Sequence, residues 1–216
     1  MKTIFISGTG TGVGKTYVTC ALIRALRERG TRVAALKPVA SGVEPGKEEE
    51  SDAAHILEAL GIPPTEENFA RITPFSFRAA LSPDMAAHRE GMKLEIGDVL
   101  AACQRKFDAD ILLIEGAGGI MSPIARGHLN IGLAAALGAP VLLVAGTYLG
   151  TISHILTAFS AFQLHKIPLR GLVLSESPEG PLSPEEIRDA LKQYVAGLAI
   201  VALPRGGEID PAILGQ

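Results

Sequence analysis

The residues best suited to chemistry begin at position 8, where the chain reads "GTGTGVGKT" through Thr16. The usual phosphate-binding loop is G-x-x-x-x-G-K-[ST]. Counted back from Gly14-Lys15-Thr16, its first glycine falls on Thr9, and Gly8 stands one residue further out. Glycines at 8, 10, 12 and 14 let backbone N–H groups turn inward, and a helix N-terminus adds positive potential. Each favourable charge at such a terminus contributes about 0.3–1 kcal/mol at an exposed site. In that reading Lys15 reaches the terminal phosphates of a nucleotide and the Thr16 hydroxyl binds Mg²⁺. The competing reading is a plain strand-to-helix turn with a surface lysine. Gly-Lys-Thr at the start of a helix, directly after an apolar strand, favours the phosphate loop.

A magnesium nucleotide needs hard oxygen ligands. Glu115 ends the apolar run "ILLIE" and precedes "GAGG", which puts a carboxylate at the C-terminal end of a buried strand. Asp52 stands at the front of a helix, where an acid commonly compensates the dipole; sequence alone favours that role over a ligand. The segment "LKPVASG", residues 36–42, follows a second strand and so falls on the same edge of the sheet. Lys37 there suits an anion, and Ser41 suits a substrate hydrogen bond.

Positioning these groups requires strands that end together. "TIFIS" at 3–7, "RVAALK" at 32–37, "ILLIE" at 111–115, "VLLVA" at 141–145, "GLVLS" at 171–175 and "AIVAL" at 199–203 have strand length and little polarity. Helical spacing or capping marks 15–29, 51–60, 94–105, 130–137, 151–165 and 184–196. Residues 38–51 and 175–184 read as loops, and 61–84 gives no clear element. Continuous apolar strands alternating with helices imply an α/β fold: a doubly wound, mainly parallel sheet with helices on both faces. Ligands of such sheets bind beyond the carboxyl ends of the strands. No repeat or linker divides the chain, so residues 1–216 are expected to form a single domain.

Composition agrees with a soluble globular protein: 47% hydrophobic and 20% charged residues, with a net charge of -3. That charge makes no case for nucleic acid or an anionic membrane as partner. Two cysteines without metal spacing suggest a reduced, cytoplasmic setting. The uncharged stretch 129–146 is long enough to suggest a membrane span, but Asn130, Gly138 and Pro140 favour a buried helix, a turn and a buried strand. Five scattered histidines make no zinc pattern.

Together, "GTGTGVGKT", "KPVASG", the Asp52 of "ESDAAHI" and "EGAGG" resemble the dethiobiotin synthetase family, nucleotide-dependent ligases of the P-loop NTPase type. The family's loop has five residues between its first and last glycine, as between Gly8 and Gly14. "SPDMAAHREG" at 82–91 and "YLGTISHILTA" at 148–158 are also similar to family segments, and the likeness extends to about residue 205. The resemblance implies ring closure of 7,8-diaminononanoate with CO₂ and ATP, with Mg²⁺ as cofactor. It implies Lys15, Lys37 and Thr11 as catalytic residues, and Thr16, Asp52 and Glu115 as metal ligands. Nucleotide contacts would come from Gly12, Val13, Gly14, Lys15, Thr16, Tyr17, Glu115, Gly118, Ser175 and Pro204. The substrate would meet Ser41, Gly118 and, across a homodimer interface, the helix start at Leu149, Gly150, Thr151 and Ile152; N–H groups of Gly118 and Gly119 would face developing negative charge.

Two departures qualify the resemblance. Family loops often carry an acidic residue where this chain has Gly10 or Gly12. After the strand "GLVL" the family often has an asparagine that reads the base, and this chain has Ser175. The sequence leaves two other readings open: a P-loop ATPase acting as a switch, against which "KPVASG" argues, and an amide-forming synthetase, for which the chain offers no glutamine-hydrolysing part.

Overall fold

The computed structural model describes residues 1–215. In chain order the elements begin with β1 (Lys2–Gly8), α1 (Lys15–Glu28), β2 (Val33–Leu36), β3 (Val39–Ser41), α2 (Asp52–Leu60), α3 (Glu66–Ile72) and β4 (Phe75–Phe77). They continue with α4 (Pro83–Arg89), α5 (Ile96–Cys103), β5 (Ile111–Gly119), β6 (Pro123–Ala125), β7 (His128–Leu129) and α6 (Asn130–Ala136). The last are β8 (Val141–Gly146), α7 (Thr151–His165), β9 (Leu169–Ser175), α8 (Pro184–Leu191) and β10 (Ile200–Leu203).

Six strands form one sheet in the order β10-β9-β8-β1-β5-β2, every pairing parallel. Alternate residues of each strand feed two cores. On one face Ile4 and Ile6 of β1 join Val18 and Leu22 of α1 and Ile56 of α2. On the other, Phe5 joins Val99 of α5, Ile131 of α6 and Phe162 of α7. Burial on both faces is why these strands are apolar throughout instead of alternating. From β1 the chain crosses to the edge strand β2, returns to β5 beside β1, and then continues on the other side of β1 through β8, β9 and β10, so β1 lies at the topological switch point where such sheets open a ligand crevice.

The helices begin and end where short-range chemistry dictates. Ser51 caps α2 by accepting from the Ala54 N–H at 3.2 Å, and Gly61 closes it in the left-handed region. Ser183 and Glu186 form a capping box at the start of α8.

Several boundaries differ from the sequence reading. Residues 38–51 are not all loop: β3 pairs in parallel with β4, and a 3-10 turn spans Glu48–Glu50. The unassigned stretch 61–84 contains α3, β4 and the start of α4. The strand ending at Glu115 in the reading continues through the glycines to Gly119, and β6 and β7 form a small antiparallel pair beyond it. The last predicted helix, 184–196, stops at Leu191. The stretch 129–146 resolves into α6 and β8 as expected, and among the described residues no helix is long and apolar enough to cross a membrane.

Candidate active site

The loop between β1 and α1 carries the first component. A side chain at Gly8 would meet Gly10 O and Val13 Cγ2, each at 2.8 Å, so the chain must be bare there for the longer loop to fold over itself. Gly14 precedes the helix at φ 90°, a left-handed conformation that glycine adopts without strain. From Gly10 to Gly14, no backbone N–H donates to a backbone carbonyl among the described residues. With the first N–H groups of α1, they form a row of unused donors at a helix N-terminus.

The second component is a compact charged cluster. Glu115 is fully buried at the end of the apolar part of β5. Its Oε1 lies 2.7 Å from Thr16 Oγ1 and 2.8 Å from Lys37 Nζ, and its Oε2 accepts from Thr19 Oγ1 at 2.7 Å. Asp52 Oδ1 lies 2.8 Å from Thr16 Oγ1, and its Oδ2 is ion-paired with Lys37. A hydroxyl has one proton, so Thr16 donates to one carboxylate at a time. An isolated carboxylate could not stay charged in such a place; Lys37 satisfies it together with the Thr16 and Thr19 hydroxyls, each of which shares its one proton with a second acceptor, Asp52 Oδ1 for Thr16 and Lys15 O for Thr19.

Electrostatics separates the two lysines. Burial pushes the Lys15 pKa down to about 8, with Glu115 opposing the shift and Lys37 adding to it. Lys15 Nζ donates to Gly10 O at 3.0 Å. Burial also disfavours the charge on Lys37, but the adjoining Glu115 and Asp52 outweigh it and hold its pKa above the ordinary lysine value. For Asp52 burial raises the pKa, and Lys37 with the Thr16 hydroxyl overcomes this and holds the carboxyl below its usual range. Cys20 and Cys103 are buried thiols pushed up to about 12 by burial, which suits packing and not ligation.

Thr11, Gly12, Gly14, Lys15, Thr16, Tyr17, Lys37, Ser41, Asp52 and Gly118 all line one cavity of about 720 Å³. Val13 is buried beneath the loop. Ser41 Oγ already donates to Leu81 O at 2.6 Å, tying β3 to the segment before α4. The donor set suits Mg²⁺: two carboxylates and a hydroxyl around one point, beside unused N–H groups for phosphates. Among the described residues, no three His, Cys, Asp or Glu side chains are placed to hold a metal by themselves.

Other expected residues lie apart from this cluster. Ser175 is buried at the end of β9, its hydroxyl without a partner, and a side chain on Gly14 would come within 2.4 Å of it. Pro204 offers its carbonyl to the Tyr17 hydroxyl at 3.1 Å. Leu149–Ile152 do not line the cavity, and Leu149 is 89% exposed. Two assignments need correction. The Thr151 N–H donates to Tyr148 O at 3.1 Å and its buried hydroxyl donates to Gly146 O at 2.7 Å, so neither group is free for a ligand. The Gly119 N–H is taken by Ser122 Oγ at 2.8 Å.

Sequence reasoning missed Thr19, Ser122 and Asn130. Thr19 had a signal: it sits one turn after Lys15 on a buried stripe, where a polar residue needs a reason. Asn130 Nδ2 donates to Ala117 O at 2.6 Å and Gly119 O at 2.9 Å, bracing the glycine-rich end of β5 after Glu115. Only the fold brings it there.

A parallel sheet with a glycine-rich loop at its switch point, followed by lysine and threonine at a helix N-terminus and backed by strand-end carboxylates, defines a P-loop NTPase. The fold agrees: the hydrogenase maturation factor HypB from Archaeoglobus fulgidus superposes with a TM-score of 0.56 at 13% identity, covering 96% of this chain and 84% of that one. The signal recognition particle receptor FtsY from Elizabethkingia anophelis gives 0.52 at 16% identity, covering 99% and 61%. A family model described as an AAA domain matches residues 2–211. The ATP-dependent dethiobiotin synthetase BioD of Methylobacterium nodulans is 45% identical over 214 residues, 96% of this chain and 95% of its own. That of a Caulobacter species is 45% identical over 219 residues, 100% and 94%. The chain belongs to the dethiobiotin synthetase family.

Proposed function

We propose that this chain converts 7,8-diaminononanoate, CO₂ and ATP to dethiobiotin, ADP and phosphate. The observation that carries the reading is the convergence of Lys15, Thr16, Lys37 and Asp52 on one cavity whose loop offers unused N–H donors, with the buried Glu115 bonded to Thr16 and Lys37 behind them. One amine nitrogen attacks CO₂ and loses a proton, giving a carbamate. A carbamate oxygen attacks the γ-phosphorus of ATP and displaces ADP. The second amine then attacks the carbonyl carbon of the mixed anhydride, releases phosphate and closes the cyclic urea.

Such a reaction asks the protein for positioning and charge neutralisation. Lys15 lies on the loop side and neutralises the phosphates; Lys37, kept protonated by its carboxylates, faces the carbamate and the transferring group. Thr11, Ser41 and the Gly118 N–H orient the substrate. Thr16, Asp52 and Glu115 would hold Mg²⁺, which would supply charge neutralisation for the phosphates. Gly150 and Ile152 at the start of α7 receive the substrate's carboxylate from a second copy of the chain, which makes the active enzyme a homodimer.

The test is ATP turnover with and without the diamine and bicarbonate, with dethiobiotin measured directly. Turnover that requires both and yields dethiobiotin in equal amount supports the reading. Hydrolysis indifferent to the diamine supports the ATPase switch instead.

A further inference from the structure

Thr19 is fully buried on α1, beside the apolar side chains Val18, Leu22 and Ile23. Valine has nearly the same shape and no hydroxyl to satisfy, so packing alone gives no reason for threonine there. The hydroxyl faces two acceptors, Glu115 Oε2 at 2.7 Å and Lys15 O at 2.9 Å. A threonine inside a helix commonly gives its proton to the carbonyl four residues back, and that bond would be purely local. Two observations favour the carboxylate. A helix carbonyl is already served by the N–H four residues on, so Lys15 O does not depend on the hydroxyl. Glu115 Oε2 does depend on it: the residue is fully buried, and among the described residues Thr19 is the only hydrogen-bond partner of that oxygen. A bond to a charged acceptor is also about twice as strong as one between neutral groups.

We infer that Thr19 is a positioning residue: its hydroxyl fixes the plane of the Glu115 carboxylate and keeps Oε1 turned toward Thr16. The inference rests on the reading of Thr16, Asp52 and Glu115 as the residues that would hold Mg²⁺. Thr16 and Thr19 stand three residues apart and so share one face of α1. Each meets a different oxygen of the same carboxylate, Thr16 at Oε1 and Thr19 at Oε2, both at 2.7 Å. Two fixed points set the rotation of a planar group, and one leaves it free to swing. Thr16 does not hold the plane alone, because its single proton is shared with Asp52 and its oxygen is itself an expected ligand. Lys37 also approaches Oε1, so the opposite side of the carboxylate depends on Thr19. Thr19 does not line the cavity, so any effect it has on the site passes through Glu115. Outer partners that orient a ligand govern metal affinity nearly as much as the ligand itself.

The experiment measures ADP binding to the intact protein by calorimetry over a range of Mg²⁺ concentrations, with EDTA as the metal-free point and no diamine, so that turnover does not enter. The proteins are the wild type, Thr19→Val, Thr19→Ser, Glu115→Gln and the double variant Thr19→Val with Glu115→Gln. Thr19→Val is expected to raise the Mg²⁺ concentration that half-saturates the effect on ADP binding by about 10–100-fold, while ADP affinity in EDTA stays within about twofold. Thr19→Ser keeps the hydroxyl and loses only a methyl group, so it should stay within about threefold of the wild type. In the Glu115→Gln background, Thr19→Val should add less than about twofold, because a residue that acts through another adds nothing once that partner is changed. The double variant buries no charge at this point, so it also serves if Thr19→Val alone is too unstable to assay. Equal shifts for the valine and serine variants would overturn the inference and leave Thr19 a packing residue. So would a full additional shift in the double variant, or a loss of ADP affinity in EDTA as large as the loss with Mg²⁺. If Glu115→Gln shifts the titration and Thr19→Val does not, only the role of Thr19 falls; if neither shifts it, the magnesium reading falls and this inference with it.

Discussion

The two flanks of the α1 N-terminus are built differently. On the β5–β2 flank, Glu115 is wholly buried and every one of its oxygens is engaged by Thr16, Thr19 or Lys37. On the β9–β10 flank, the polar groups are Ser175, whose hydroxyl bonds to nothing, and the exposed Arg205 with its tether to Glu176. Charge in a low-dielectric pocket is costly to leave unpaired and effective when preorganised. The first flank therefore suits a reaction in which charge develops, and the second suits holding a flat group whose identity the chemistry does not need. If that contrast is right, damage to the first flank should stop turnover, and damage to the second should change only nucleotide affinity.

The sharpest break is Lys15→Ala. It removes the cation proposed to face the phosphates and should lower kcat at least about a hundredfold with the fold intact, since a truncated side chain here leaves no buried anion of its own. Steady-state kinetics alongside a thermal melt checks this, and near-normal kcat would remove Lys15 from the phosphate site. Next comes Glu115→Gln, which keeps shape and removes charge. The expected outcome is a shift of the Mg²⁺ titration by about 10–100-fold with a parallel loss of activity. Because the change also strips Lys37 of a buried partner, a lowered melting temperature is expected as well. An unshifted Mg²⁺ titration would leave Glu115 with only the structural part of that role.

The same contrast explains what was legible in the sequence. Phosphate-loop glycines, Lys15 and Thr16 are local: they occupy nine consecutive residues, and the strand before and helix after them have clear apolar patterns. Glu115 was legible because a carboxylate closing an apolar run is conspicuous. Asp52 was not separable from a dipole-compensating acid until the fold set it beside Thr16 and Lys37. Three-residue strands such as β3, β4 and β6 are too short to show a period, so the segment that carries Ser41 was read as loop. On the other flank, Tyr17 and Arg205 are neighbours only through the sheet order, which places β10 at the far edge of a sheet begun by β1. No local pattern announces such a pair. Thr151 failed for another reason: a helix start looks like a row of free N–H groups in sequence, but here a turn closes onto Tyr148 and takes one of them.

A smaller effect is expected where the proposed dimer brings α7 to the substrate. Leu149 is 89% exposed, so Leu149→Glu should leave the isolated fold unchanged. Its carboxylate would stand beside the substrate's own, and like charges so placed repel. KM for the diamine should rise at least about tenfold while KM for the nucleotide moves little. Equal changes in both would argue against a carboxylate site at the start of α7.

The smallest effect concerns base choice, and it sharpens the contrast between the flanks most directly. Adenine presents its N6 amine as a donor and ring nitrogens as acceptors. An asparagine amide can satisfy a donor and an acceptor together, but Ser175 has one hydroxyl, and it is buried against Gly14. A single neutral hydrogen bond contributes about 0.5–1.5 kcal/mol net, which is at most about tenfold in affinity. The contacts proposed from Lys15 and Thr16 to the triphosphate would be blind to the base and could not restore discrimination. CTP, GTP and UTP should therefore support dethiobiotin formation within about tenfold of ATP. Replacing Ser175 by Ala should move the four ratios of kcat/KM by less than that again, because the hydroxyl it removes has no partner in the folded protein. The measurement is kcat/KM for all four nucleotides at fixed Mg²⁺, in the wild type and in Ser175→Ala. A thousandfold preference for ATP in the wild type would mean that the β9–β10 flank reads base edges after all, through backbone groups near Pro204, and that the two flanks are alike in precision and differ only in charge.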